Sequence, residues 1–329
     1  MIELEISKLD EGQKLKKLCF KFFDKAPQSF TYKMLRKKNI VLNDKKADGE
    51  EILKDGDKVK LYLSDDTIRL FHSSYSDNSS DSSNSVNRHK TGKNDKIIKL
   101  TKENIIYEND DYIIINKPAG VLSQKASAED YSINEAVIDH MLECNMISRS
   151  QLENFRPSVC NRLDRNTSGI ITAGKTQKGL RYLSDKMREK GEESKVLKSY
   201  FAVVHGRFDK DGIYTLGFSK NEKDNTVKVL KDVTGSDYIK TGFRFLKYND
   251  ENNLSLVEAV LYTGKSHQIR VSLRYLGFPI VGDRKYGDTE LDRKLIPRPK
   301  RQLLHAGLLK LSDTEVFRAD FPKDIEEYF

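Results

Sequence analysis

One stretch concentrates groups able to do chemistry: Asn161-Arg162-Leu163-Asp164-Arg165-Asn166-Thr167-Ser168-Gly169, an acid between two arginines in a polar loop that leads into an apolar run. Positive charge beside an Asp lowers its pKa and keeps it ionised as a nucleophile or base. The same residues also suit a structural salt bridge or an Asx-type turn ahead of a strand, so the stretch by itself leaves both readings open. His267, in Thr263-Gly264-Lys265-Ser266-His267-Gln268-Ile269-Arg270, has no second His or Cys at metal-ligand spacing and reads as a hydrogen-bonding scaffold residue. Glycoside or nucleotide hydrolysis through Asp164 needs a second acid at a suitable distance, and these motifs supply none.

Such groups must be held by elements that the apolar pattern reveals. Asp111 to Asn116 (DYIIIN) predicts a strand, closed by the tight turn Lys117-Pro118-Ala119-Gly120. Gly169 to Gly174, Tyr200 to Gly206 and Leu254 to Tyr262 are three further β-rich runs. Ser266 to Leu276 predicts a helix, because Ile269, Leu273 and Leu276 fall at i, i+4 and i+7 and Gly277 stands at the stop position. Strands joined by loops, with occasional helices, predict an α+β fold around a mixed sheet and not an alternating doubly wound one.

Upstream, Leu15, Leu18, Phe22 and Phe23 recur at helical spacing. After Ala26-Pro27, Ser29 or Thr31 caps a second helix through Leu35, with Lys33, Arg36, Lys37 and Lys38 clustered on it. Ile40-Val41-Leu42 then turns at Asn43-Asp44, and an alternating strand from Lys58 to Leu63 ends the unit. Residues 73–95 are almost entirely Ser, Asn, Asp and basic residues, too polar to offset their ordering entropy, and read as a flexible linker. The division is therefore a small module over 1–64, a Ser-rich linker over 65–100 and a large domain over 101–329.

The formal net charge is +8, and residues 1–64 carry 15 Lys or Arg against 11 acids, which points toward a polyanionic partner without establishing one. No apolar run approaches the ~18 residues needed to span a bilayer, so no membrane association is expected. The opening MIELEISKLDEG lacks the pattern of a signal peptide. Cys19, Cys144 and Cys160 are scattered and form no CxxC pair, which fits a reducing cytoplasm and argues against a disulfide framework or a zinc site.

Five segments, in order, resemble motifs of the RluA branch of pseudouridine synthases. Asn116-Lys117-Pro118-Ala119-Gly120 resembles the first, and Arg162 to Gly169 the catalytic HRLDxxTSG pattern. Lys198-Ser199-Tyr200 with Val204 and Gly206 resembles the KxYxAxVxG strand. Thr263 to Arg270, running on to Gly277 and Ile280-Val281-Gly282-Asp283, resembles TGRxHQIR, and His305-Ala306 to Leu311 the last strand motif. Together they span residues 105–322. In the module, Gln28-Ser29-Phe30, Met34-Leu35-Arg36-Lys37 and Ile40-Val41-Leu42-Asn43, closed by Gly56-Asp57, resemble the S4 RNA-binding domain, with Lys14-Leu15-Lys16 in place of its Arg-Leu-Asp opening.

The pairing of module and domain is similar to the RluC/RluD type. The resemblance implies a catalytic domain with a central mixed or antiparallel sheet and an active-site cleft, preceded by an S4-like domain. It implies isomerisation of uridine to pseudouridine in structured RNA, above all large-subunit (23S) ribosomal RNA, by a cytoplasmic monomer that needs no cofactor and no metal. Asp164 would initiate cleavage of the N-glycosidic bond, either by adding to the sugar or by removing a ribose proton. The uracil then rotates and rejoins through carbon 5 with water excluded. Arg270 would pair with Asp164, Tyr200 would pack on the target base, and Arg162 would fill the gap left by the flipped nucleotide. Arg165, Lys33, Arg36, Lys37 and Lys38 are the expected RNA contacts, and Lys117, His267 and Gln268 the expected substrate-positioning residues. Asn161, Asn166, Ser272 and Phe278 depart from the family pattern. A tRNA-directed synthase and a non-catalytic RNA-binding or ribosome-assembly factor remain the alternatives.

Overall fold

The computed structural model describes residues 1–73, 98–189, 194–221, 226–230 and 238–329. The first of these stretches folds around its own core. In order come β1 (Ile2–Glu5), α1 (Leu15–Phe22), α2 (Gln28–Arg36), β2 (Ile40–Leu42), β3 (Lys45–Lys46), β4 (Lys58–Leu61) and α3 (Asp65–Phe71). The strands pair antiparallel in the order β1-β4-β2-β3. Helical spacing does its work in α1, where Leu15, Leu18 and Phe22 are all buried. Helix α2 starts two to four residues earlier than its expected caps: Pro27 is the N-cap, and Ser29 and the buried Thr31 lie within the helix. Asn43 and Asp44 both take positive φ, 50° and 60°, which suits a two-residue hairpin.

Composition placed residues 65–71 in the linker, but they form α3. Ser64 caps that helix by accepting from Thr67 N, and Ile68 inserts fully buried into the module core. The Ser-rich stretch itself, residues 74–97, lies outside the described residues. The module rests on the large domain: Leu9 packs against its core, Gln177 N donates to Leu9 O at 3.0 Å, and the Arg181 guanidinium donates to Gly12 O.

The large domain continues with β5 (Ile105–Glu108), β6 (Tyr112–Lys117), α4 (Ile133–Glu143), α5 (Gln151–Asn154), β7 (Ser158–Val159), β8 (Ser168–Gly174) and α6 (Gln177–Arg188). Then follow β9 (Leu197–His205), β10 (Gly212–Asn221), β11 (Thr226–Leu230), β12 (Tyr238–Asn249), β13 (Leu254–Leu261) and α7 (Gln268–Tyr275). The last elements are α8 (Thr289–Asp292), β14 (Leu304–Lys310), β15 (Val316–Arg318) and α9 (Lys323–Glu326). Eleven strands form one sheet in the order β11-β10-β12-β13-β9-β14-β8-β6-β5, with β15 on β14 and β7 on β8. Among the described strand pairs only β8 with β14 is parallel, so the sheet is mixed as expected. The runs expected to be strands are β6, β8, β9 and β13, and the expected helix is α7, which begins at Gln268 rather than Ser266.

Side chains alternate across a strand, and this sorts the core. Ile113, Ile115, Ile171, Ala202 and Val204 look to one face, where Val137 of α4 and Leu273 of α7 cover them in two separate cores. Ile114, Ile170 and Val203 look to the other face, beneath Leu183 of α6 and Ile325 of α9. Each fully buried aliphatic side chain contributes roughly 1.5–3 kcal/mol to this packing. Tyr200 of β9 touches both cores of the first face and so marks the seam between them. The parallel pair needs Gly169 (φ 113°), because a Cβ there would lie 2.2 Å from Ala306 O.

Candidate active site

Asp164 lies in the loop between β7 and β8, which is clamped through its backbone from several directions. Ser123 Oγ donates to Leu163 O at 2.9 Å and accepts from Leu163 N at 3.0 Å. Lys117 Nζ donates to Arg165 O at 3.1 Å, and Arg301 Nη1 to Asn166 O at 3.1 Å. Gln302 Nε2 donates to Thr167 Oγ1 at 3.1 Å. Such bracing fixes the position of the Asp164 carboxylate.

The cation beside Asp164 is neither of its sequence neighbours. Arg270, 106 residues later in the first turn of α7, donates from Nη1 to Asp164 Oδ2 at 2.7 Å. Its other edge is a fork onto Asp283, Nε to Oδ2 at 2.6 Å and Nη2 to Oδ1 at 2.8 Å. The Asp283 carboxylate also accepts from Lys285 N and Tyr286 N. Side-chain exposure is graded along the chain: 0% for Asp283, 8% for Arg270 and 31% for Asp164, so the outermost carboxylate alone is open to a ligand. Burial opposes the Asp283 charge, but the hydrogen bonds and charge of Arg270 outweigh it and hold the carboxyl below its ordinary value. For Arg270 too burial is the largest influence, and Asp283 and then Asp164 overcome it to raise the guanidinium above its usual value.

Tyr200, half-buried, lines the same cleft as Asp164. Burial first, and then the charge of Asp164, push its phenol above the ordinary value, so it stays a neutral flat ring. His267 caps α7 in a left-handed conformation (φ 56°), uncommon for a residue with a side chain. Its Nδ1 lies 2.9 Å from Tyr286 Oη and its Nε2 4.0 Å from Asp164 Oδ2. Burial lowers its pKa, Asp164 opposes that and Arg270 adds to it, which leaves a neutral imidazole at neutral pH. The Arg270 guanidinium in turn sits over the Tyr286 ring, 5.0 Å from its centroid. The cleft has a volume of about 860 Å³, and Arg162 and Arg165, both exposed, lie on its wall.

Two expected substrate-positioning residues have their polar groups engaged within the protein. The Gln268 amide donates to Lys240 O and Thr241 Oγ1 and accepts from Thr263 Oγ1 and Lys265 N, so its capacity is taken up within the protein. Lys117 is fully buried and donates to Pro118 O, Val121 O and Arg165 O. Arg165 Nε donates to Gly120 O at 3.1 Å. Lys33, Arg36, Lys37 and Lys38 are all exposed on or just after α2. Asp283, Tyr286, Ser123 and Arg301 were missed as site residues, although Asp283 lies inside a segment the family resemblance had marked.

The departures have local roles. Asn161 donates from Nδ2 to Ile170 O and accepts Thr172 N and Oγ1 at Oδ1, which ties the loop to β8. Phe278 packs edge-on against Phe208, and the Asn166 carbonyl accepts from Arg301. Ser272 Oγ is buried and has no hydrogen-bond partner among the described residues.

Burial pushes Lys117 down to about 7, with Arg301 adding to the effect and Asp164 opposing it. A lysine depressed on folding binds fewer protons than the unfolded chain between about 7 and 10.5, so its site gains stability as pH rises through that window. The expected slope is at most about 1.4 kcal/mol per pH unit. Urea unfolding at stepped pH is expected to show this rise in the wild type and to lose that increment in Lys117→Met.

Among the described residues no group of three or more His, Cys, Asp or Glu could hold a metal ion, and no helix is long and apolar enough to cross a membrane. The mixed sheet and the cleft opened between its two cores define a pseudouridine synthase fold. Residues 111–275 match the family described as RNA pseudouridylate synthase, and the chain belongs to that family. It is 31% identical to ribosomal large subunit pseudouridine synthase C of Rickettsia bellii, over 92% of this chain and 90% of the relative. With the protein of the same name from Escherichia coli it shares 27% identity, over 96% of this chain and 91% of the relative. Among solved structures, human RNA pseudouridylate synthase domain containing 4 superposes with a TM-score of 0.53 at 20% identity, covering 68% of this chain and 90% of that one. The protein is accordingly an RNA pseudouridine synthase of the RluA family, RluC type.

Proposed function

We propose that the protein isomerises uridine in large-subunit ribosomal RNA, in the cytoplasm and as a monomer, with Asp164 as the catalytic carboxylate. The observation that carries this reading is the graded chain Asp283–Arg270–Asp164, which ends in one partly exposed carboxylate at a cleft beside the Tyr200 ring. The relatives named for the large ribosomal subunit support the choice of RNA. The reaction breaks the N1–C1′ bond and forms C5–C1′, releases the proton from C5 and takes up one at N1, with no net oxidation. Tyr200 offers a face to the uracil while it is detached, and Arg162, exposed on the cleft wall, takes the place of the flipped nucleotide. Lys33, Arg36, Lys37 and Lys38 on the S4-like module hold flanking RNA by their charge. Tritium release from C5-labelled uridine in 23S rRNA and tRNA transcripts tests the substrate. Release from rRNA alone is expected, and release from tRNA alone would replace the rRNA assignment.

A further inference from the structure

The segment 294–300, between α8 and Arg301, takes no part in the site described above. Its Ile296 is 89% exposed, the most exposed large apolar side chain among the described residues. Around it Lys294, Arg298 and Lys300 are exposed and form no ion pair among the described residues, whereas Arg293 pairs with Glu290 at 2.6 Å. This presentation is held in place. Leu295 is buried beside Val281 and Leu303, the Tyr328 hydroxyl donates to Pro297 O, and Asp292 Oδ1 accepts from Gly282 N at 3.0 Å. Pro297 and Pro299 further restrict the backbone on one side of the apex. Immediately after Lys300 the chain enters the active-site wall, where Arg301 clamps Asn166 O and Gln302 lines the cleft.

An anchored loop with three cations that form no ion pair among the described residues, and a single apolar tip, suits a polyanion that also exposes flat apolar surfaces. We infer that residues 294–300 form an RNA grip on the segment that leads into the cleft wall, with Lys294, Arg298 and Lys300 on phosphates and Ile296 against an unstacked base. The inference rests on the rRNA reading. A membrane is a poorer fit for one isoleucine, and an acidic protein has no use for a grip that runs into the cleft.

The test measures affinity for a fluorescein-labelled 23S rRNA fragment over a range of salt. Wild type, Lys294→Ala/Arg298→Ala/Lys300→Ala, Ile296→Ala and a charge-matched control, Lys99→Ala/Lys195→Ala/Lys210→Ala, are compared. Leu295 stays intact in all of them, so the loop keeps its anchor. The loop triple variant is expected to bind about tenfold or more weakly and to lose roughly two to three from the slope of log affinity on log salt. Ile296→Ala is expected to bind severalfold more weakly with its salt slope unchanged, because an apolar contact releases no counterions. Equal losses in the loop and control variants, or wild-type affinity in the loop variant, overturn the inference. Tritium release by wild type from the same RNA separates the two readings. If wild type releases tritium while the loop variant binds normally, only the grip fails; if wild type releases none, the rRNA reading fails.

Discussion

Asp164→Asn is expected to abolish tritium release from C5-labelled rRNA, lowering the single-turnover rate by about a thousandfold or more, equivalent to roughly 4 kcal/mol of transition-state stabilisation. The amide keeps the shape of the carboxylate and an oxygen for Arg270 Nη1, but it can neither attack a sugar nor accept a ribose proton. Folding should hardly change. The Asp164 side chain is 31% exposed, and a partly solvated ion pair of this kind contributes at most about 1 kcal/mol. RNA affinity should hold or rise slightly, since the substitution removes a negative charge from a cleft that meets phosphate. Full binding with no release is therefore the signature of a lost chemical group. Release at the wild-type rate would show that Asp164 is not that group.

The extent to which this site could be read from sequence follows from where its information lies. Asp164 stood out because its local context is unusual, yet that context suggested the wrong cation. Arg162 and Arg165 are adjacent in sequence, but the loop turns both toward the cleft wall and leaves the ion pair to Arg270, 106 residues away. Only the family resemblance linked the two, because no periodicity encodes a contact across the sheet. Asp283 was harder still. A buried aspartate after Gly282 reads as a turn residue until the Arg270 fork is seen to close on it. Gln268 and Lys117 show the opposite limit, since a motif names the polar side chain but not the partners within the protein that it bonds.

The fold shows the same division. Strands β6, β8, β9 and β13 are rich in β-branched, aromatic and other apolar residues and were legible. Helix α6 was not read, although Leu180, Leu183 and Met187 fall at i, i+3 and i+7; of its residues only Gly179 and Leu183 are fully buried. Strand β12 alternates Ile239, Thr241 and Phe243 inward until a bulge between Phe245 and Lys247 breaks its period. Helix α3 was hidden by its neighbourhood: seven residues beside a Ser-rich stretch carry one fully buried side chain, Ile68, too few to register as a pattern.

Arg270→Ala is expected to destabilise the fold as well as silence the site. Its loss strands Asp283, a carboxylate with no exposed side-chain surface, and removing one partner of a buried pair costs about 3–5 kcal/mol. The pH dependence identifies the cause. In the wild type Arg270 holds Asp283 below its ordinary value of 3.8, so that group's contribution to stability is present above that value and is lost as pH falls through the folded pKa. Without the arginine, burial dominates and raises the Asp283 pKa. The variant then retains the site's stability only at acid pH and loses it as pH rises through the raised value. Urea unfolding should therefore show a gap between wild type and variant that is widest near neutrality and narrows toward acid. Adding Asp283→Asn to Arg270→Ala should recover part of the stability, because a neutral amide is far less costly to bury, and should recover none of the activity. A double variant no more stable than Arg270→Ala would mean that the arginine stabilises the fold through its packing over Tyr286. Arg270→Lys separates charge from geometry: an ammonium can neutralise one carboxylate but cannot fork onto Asp283 while reaching Asp164, so a rate about ten- to a hundredfold below wild type is expected.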